Sequence, residues 1–265
     1  MRTEVVSEAG PVNSGARPNE DFAGIGLPAS GQGGCVIVLD GVTPPDGGTG
    51  CLHSVPWFTA RLGGTLTELT VSGRDLTLPE ILSVAIARTA ETHASTCDLS
   101  HPRTPQATVV LTRWSADTVE YLVLSDSALL LESSDGTVTP VLDDRLARLP
   151  RASLASDAVA DATVRNKEGG FFTAAADPSV ASRAVTGTLP RHEVRAFAAL
   201  TDGATRWVEK FREGDWADCF ALVREEGARA LLGRVRALES ADREERAFLR
   251  RSKTHDDATV VYVEL

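Results

Sequence analysis

Residues 35–41 read Cys-Val-Ile-Val-Leu-Asp-Gly: five apolar residues running straight into an acid and a glycine. A short, uninterrupted apolar run bounded by turn residues predicts a strand buried in a sheet. Asp40 then stands where that strand ends, with a carboxylate at the rim of the sheet and a loop leading towards helix. The same grammar recurs at Arg195-Ala-Phe-Ala-Ala-Leu, which runs into Thr201-Asp202-Gly203, and in reverse at Asp256-Asp257, which precede the apolar run Ala258-Thr-Val-Val-Tyr-Val.

Asp-Gly is also an ordinary turn dipeptide, because both residues tolerate the backbone angles a turn needs. Asp135-Gly136, between the strand-like 128–132 and the residues that follow, fits that plain reading and is assigned no function. Asp40 and Asp202 differ from it by ending buried runs. If the three strand ends converge, Asp40, Asp202 and Asp256 crowd together and their mutual repulsion is relieved by divalent cations. Hard oxygen ligands favour magnesium or manganese.

Outward from residue 35, the opening stretch to about 34 is rich in Gly, Pro, Asn and Ser, interrupted by the strand-like Asp21-Phe-Ala-Gly-Ile. After the Pro/Gly-rich 44–50, two helices are expected. The second starts at a Thr77…Glu80 capping box and carries Leu82 and Ile86 one turn apart. Residues 107–113, 118–124 and 128–132 predict adjacent antiparallel strands. The stretch from about 143 to 192, rich in Ala, Asp, Arg and Gly without a clean period, predicts an irregular, flap-like insertion with short helices. Phe220, Val223, Ala230 and Leu231 outline one long amphipathic helix, and the charged tract 239–251 continues as an exposed helix.

The chain has 265 residues, 42% hydrophobic and 24% charged, which suits one domain over 1–265 with its own core. A formal net charge of -10 and no long Lys/Arg cluster argue against a nucleic-acid partner. Cysteines 35, 51, 97 and 219 form no CxxC pair and no zinc-like spacing, so buried free thiols are expected; the five histidines are dispersed. No signal-peptide pattern opens the chain and no apolar stretch is long enough to span a membrane. A cytoplasmic, monomeric protein with no membrane contact is the expectation.

Six short motifs occur in one order: Asn19-Glu20-Asp21, the apolar run into Asp40-Gly41, Gln106-Ala-Thr108-Val-Val, Leu124-Ser-Asp126-Ser127-Ala, Thr201-Asp202-Gly203, and Asp256-Asp257-Ala-Thr-Val-Val. Together they resemble the metal-dependent protein phosphatases of type 2C, in a compact bacterial form, over nearly the whole chain. The resemblance implies an α+β fold, a four-layer α-β-β-α sandwich of two antiparallel sheets flanked by helices. It implies hydrolysis of phosphoserine and phosphothreonine in proteins, with phosphorylated proteins as partners. Two Mn2+ or Mg2+ ions are implied, bridged by Asp40, with the Gly41 carbonyl on one, Asp202 and Asp256 on the other, and Glu20 acting through water. A water bridging the two ions is then the nucleophile. Arg17 is the implied phosphate ligand, and Asp21 and Asp126 are possible accessory groups.

Three positions depart from the family pattern. Arg17 stands three residues before Glu20 instead of four. Val42 replaces a histidine that in some members protonates the leaving alcohol. Arg206 stands where many members place an acid which, with residues matching Asp126 and Asp202, binds a third ion. Two rival readings therefore remain open: a catalytically weak phosphoprotein-binding module, and a two-metal phosphatase of small phosphate esters.

Overall fold

The structure, a computed structural model, describes residues 1–10, 18–28, 30–44, 48–72, 75–245 and 254–265. Ten strands form two antiparallel five-stranded sheets. The first contains β1 (Arg2–Glu8), β10 (Ala258–Glu264), β9 (Val194–Leu200), β6 (Ala128–Ser133) and β7 (Val138–Leu142), in that spatial order. The second runs β2 (Phe22–Gly26), β3 (Gly34–Leu39), β4 (Val109–Trp114), β5 (Thr118–Leu124) and β8 (Val185–Pro190). Both sheets are covered by helices on their outer faces, so the expected four-layer α-β-β-α sandwich is the fold.

Alternation along β3 shows how the layers are made. Val36 and Val38 point inwards and join Val110, Val123, Leu129, Phe197, Val261 and Val263 in the core between the sheets. Cys35, Ile37 and Leu39 point outwards against α1 (Val55–Val71) and α2 (Leu78–His93). A strand covered on both faces has no polar side to show, which is why residues 35–39 read as one continuous apolar run.

Helix α1 presents Phe58, Leu62, Leu66 and Leu69, all fully buried, as a stripe at helical spacing. Each such side chain contributes about 1.5–3 kcal/mol by leaving water. Its start is set by Ser54, whose hydroxyl accepts from the Trp57 N–H at 3.4 Å. Helix α2 begins with the expected capping box: the Thr77 N–H donates to Glu80 at 2.8 Å and the Glu80 N–H to the Thr77 hydroxyl at 3.4 Å. On the opposite face α5 (Asp202–Glu209), α6 (Trp216–Glu226) and α7 (Ala228–Glu245) pack Phe220, Leu231 and Val235 onto Tyr262 and Val260.

Four expectations need correction. Residues 118–124 and 128–132 are not neighbours: β5 pairs with β4 and β8, while β6 crosses to the other sheet between β9 and β7. Ser125, at φ 69°, turns the chain between the sheets. The single helix outlined by Phe220 to Leu231 is two, because Gly227 adopts φ 96°, a left-handed conformation that ends α6 before α7 begins. The tract 239–251 is helical to Glu245 but not simply exposed, since Glu239 and Asp242 are buried, and 246–253 lie outside the described residues. The stretch 143–192 does hold short helices, α3 (Arg145–Arg148) and α4 (Asp157–Thr163), but ends in the regular edge strand β8. An opening strand, β1, was also not foreseen; Val5 on it is exposed, which blunts the apolar signal.

The cysteine reading is corrected in part. Cys35 and Cys219 are buried free thiols, but Cys51 and Cys97 are paired with each other. Among the described residues no helix is long and apolar enough to cross a membrane.

Candidate active site

At one end of the sandwich, the rims of both sheets and the stretch after β7 enclose a cleft of about 580 Å³. Asp40, Gly41, Asp126, Asp202, Arg206 and Asp256 line one side of it, and Leu146, Ser156, Asp157, Arg165 and Phe171 the other. Strands that are consecutive in space but distant in sequence thus deliver four carboxylates to one place.

Asp40 is held from both sides. Its backbone N–H donates to the Thr108 hydroxyl at 3.3 Å, and its carbonyl accepts from the Thr108 N–H at 2.9 Å. Thr108 in turn shares a 2.6 Å hydrogen bond with Ser127 next to Asp126. The Asp202 N–H, at the start of α5, donates to the Asp40 carboxylate at 3.2 Å. A helix N-terminus aimed at an acid supplies partial positive charge, less than one unit.

Gly41 forms an isolated bridge to Ala107, flanked by ladder bonds from Asp40 and Val42. In an antiparallel pair of this kind the central residue's own N–H and C=O face away from its partner strand, here towards Glu20. The approach is close: a Cβ at Gly41 would lie far inside contact with the Glu20 carbonyl and Val55, and 2.9 Å from Glu20 Cβ. The Glu20 carboxylate accepts the Thr43 hydroxyl. Glu20 therefore stands beside the cleft, behind Gly41 and Thr43, while Arg17 lies outside the described residues.

Asp256 and Asp257 are adjacent but face apart. Asp256 lines the cleft and meets the Arg206 guanidinium at 2.9 Å. Asp257 instead accepts the backbone N–H groups of Gly10 at 2.8 Å and Glu20 at 2.7 Å, fixing the segment that carries Glu20. Asp21 does not line the cleft. Its Oδ2 accepts the hydroxyls of Thr201 at 3.0 Å and Thr259 at 2.7 Å, and its Oδ1 is buried with no hydrogen-bond partner.

The electrostatics follow from the crowding. Burial, then Asp202, Asp21, Asp256 and Asp126, push the Asp40 carboxyl well above the usual carboxylate range. Burial, then Asp256 and Asp126, push Asp202 up to about 8, against the pull of Arg206. Asp21 is raised to about 7, chiefly by burial, and Asp126 is raised by burial despite its hydrogen bonds. Arg206 offsets part of this charge. It also pairs with the fully buried Glu239 at 2.6 Å, so it is committed to the protein on two sides. Acids only partly compensated around one cavity, with the orphaned Asp21 oxygen behind them, suit divalent cations, which Asp40, the Gly41 carbonyl, Asp202 and Asp256 could hold.

A family model described as Protein phosphatase 2C matches residues 14–237. The chain belongs to the protein phosphatase 2C family. Asp256 and β10 lie beyond the matched stretch, and their place in this phosphatase 2C site comes from the sheet geometry. Among solved structures, the serine/threonine phosphatase Stp1 from Staphylococcus aureus is 12% identical with a TM-score of 0.60, over 100% of this chain and 95% of that one. The serine/threonine phosphatase PstP/Ppp from Mycobacterium tuberculosis is 17% identical with a TM-score of 0.57, over 100% and 98%. The catalytic domain of PstP in complex with two manganese ions is 17% identical with a TM-score of 0.56, over 99% and 97%. At these identities the likeness is one of fold. The chain has no match among curated proteins. Family and fold together support a phosphatase function.

Sequence reasoning missed Arg165, whose guanidinium lines the cleft 4.9 Å over Phe171 and bonds Asp161 at 2.9 Å. It sits in the stretch 143–192, where no periodicity announced it. None of the described residues lining the cleft is a histidine, in keeping with Val42.

Proposed function

We propose that this phosphatase 2C family member hydrolyses phosphoserine and phosphothreonine in proteins, using two divalent cations held by Asp40, Gly41, Asp202 and Asp256, with Glu20 beside them. The observation that carries the reading is the convergence of Asp40, Asp126, Asp202 and Asp256 on one cleft, where burial and the neighbouring acids raise the carboxyls of Asp40 and Asp202. When bound, manganese or magnesium ions supply Lewis-acid stabilisation of phosphoryl charge and lower the pKa of water.

The chain's own contribution is positioning. Thr108 fixes the Asp40 backbone, the α5 N-terminus holds its carboxylate, and Asp257 fixes the Glu20 backbone. Arg165, on the opposite wall, offers a guanidinium to the phosphate, a geometry suited to two oxygens. Arg17 is proposed to assist from the segment before Glu20, and residues 143–192 to act as a flap over the substrate. Leu146, Leu154 and Phe171 give that wall apolar surface for the peptide flanking the phosphoresidue.

The test is turnover of an aryl phosphate and a phosphothreonine peptide with manganese, with chelator, and in Asp40→Asn. Metal-independent turnover, or full activity in the variant, would sink the proposal. The Arg206–Asp256 ion pair favours one second reading, because it competes with a cation for an Asp256 oxygen. A protein inert with every metal that still binds the phosphopeptide would establish a binding module instead.

A further inference from the structure

Outside the lining of the cleft, the loop entering α1 and the end of α2 bring Cys51, His53, His93 and Cys97 together, with four ligand atoms within 4.8 Å of one another. In the sequence the cysteines form no CxxC pair and the histidines are dispersed, because the ligands fall in two split pairs, Cys-x-His at 51–53 and His-x-x-x-Cys at 93–97, forty residues apart. Helix α2 closes the gap by returning antiparallel to α1. Cys51 and Cys97 are bonded to each other, yet both histidines also aim Nδ1 at the sulfurs: His53 at 3.6 Å from Cys51 and 3.4 Å from Cys97, and His93 at 3.4 Å from Cys51.

We propose that these four residues form a tetrahedral zinc site that staples the loop before α1 to the end of α2. Zinc bonds to sulfur and imidazole nitrogen at about 2.3 and 2.0–2.1 Å, so a regular tetrahedron has sulfur–nitrogen edges of about 3.6 Å. Three such edges already stand at 3.4–3.6 Å. Once reduced, the sulfurs need only part to about 3.8 Å, the corresponding sulfur–sulfur edge.

Two further features suit a site of thiolates and imidazoles. Backbone N–H groups point at the sulfurs, from Leu52 to Cys97 at 3.3 Å and from His53 to Cys51 at 3.4 Å, a pattern that stabilises negative sulfur. Aromatic packing fixes the imidazoles: Trp57 stacks on His53 with centroids 3.9 Å apart and meets His93 edge-on at 5.3 Å. Soft sulfur and imidazole donors select zinc, whereas the all-oxygen cleft selects manganese or magnesium, so each ion is directed to its own site.

Zinc and the disulfide are alternative states of the same two sulfurs. Two equivalents of a thiol reductant convert the disulfide to two cysteine thiols and become a disulfide themselves. Zinc then displaces one proton from each thiol to solvent. In a thiol-rich compartment the zinc form is the one expected.

The experiment is zinc analysis of the full chain after reduction, incubation with zinc chloride and desalting, beside thiol titration and cobalt substitution. The expected result is one zinc per chain that manganese does not displace, and two thiols that react only after a chelator is added. Cobalt should give the charge-transfer absorption of a thiolate-bound ion. His53→Ala should weaken zinc binding by at least the roughly 100-fold that losing a group behind a ligand can cost, and His53→Cys should restore it. Asp40→Asn should keep the zinc, which separates this site from the cleft. The cobalt spectrum reads the ligands in the wild-type chain, so a variant that fails to fold does not decide the matter. No zinc uptake by the reduced protein, equal uptake by a Cys51→Ser/Cys97→Ser chain, or a cobalt spectrum without thiolate charge transfer overturns the proposal.

Discussion

Replacing Asp40 with Asn should have opposite effects on stability with and without metal. Without metal, burial and the acids at 202, 21, 256 and 126 disfavour the Asp40 carboxylate. An asparagine keeps an oxygen for the Asp202 N–H and removes the charge. Asp40→Asn is therefore expected to melt above wild type in chelator at pH 8, and each kcal/mol of relief is worth about 2–4 °C in Tm for a chain of this size. The advantage should shrink towards pH 4. A carboxyl whose folded pKa is raised favours folding fully below its unfolded pKa and loses that contribution as pH climbs through the folded one. Asp21 at about 7 and Asp202 at about 8 place that loss between pH 4 and 8. With manganese at 100 times its Kd, wild type should gain about 2.7 kcal/mol and Asp40→Asn little of it. Calorimetry of both proteins at pH 4 and pH 8, with manganese and with chelator, checks this. A variant less stable than wild type in chelator at pH 8, or one with the full manganese gain, refutes the reasoning.

Three other substitutions probe separate parts of the site. Arg206→Ala should lower stability by about 2–3 kcal/mol, because Glu239 is fully buried and among the described residues keeps Arg236 and His255, while loss of the Arg206 contact to Asp256 tightens manganese binding; denaturant melts and manganese titration read the two effects. Gly41→Ala must displace Glu20 or Val55, so a loss of about 1–3 kcal/mol and a sharp fall in kcat with manganese are expected. Arg165→Ala should raise KM for a phosphopeptide by about 10–100-fold, the worth of a charged hydrogen bond to phosphate, with thermal stability measured alongside to separate its bond to Asp161.

What could be read from the chain, and what could not, divides by the range of the interactions. Asp40, Asp202 and Asp256 were legible because each borders an apolar run whose buried strand could be recognised locally. The capping box at Thr77 was legible for the same reason. The partners of those acids were not: Thr108 meets Asp40 across a sheet, Asp257 reaches back to Gly10 and Glu20, and Arg206 swings from α5 to Glu239 on α7. The direction of β6 was misread because a hairpin and a crossover between sheets both begin with a short polar break, and only the backbone angle at Ser125 distinguishes them. Cys51 and His93 were misread for want of the helix pair that joins them.

The place of β10 bears on when this protein can work. Strand β1 pairs with β10 along its whole length, and Ser7 meets Thr259 across 252 residues of sequence. During synthesis, β1 and the Glu20 segment emerge from the ribosome long before the strand that will hold them exists. Contacts of such long range also close slowly. The strands of the second sheet, with α1 and α2, all lie within residues 22–190, but the four-acid cleft also needs Asp202 and Asp256. A nascent chain halted before residue 256 should therefore be a partly folded, catalytically silent species, with catalysis delayed until the final strand is threaded between β1 and β9.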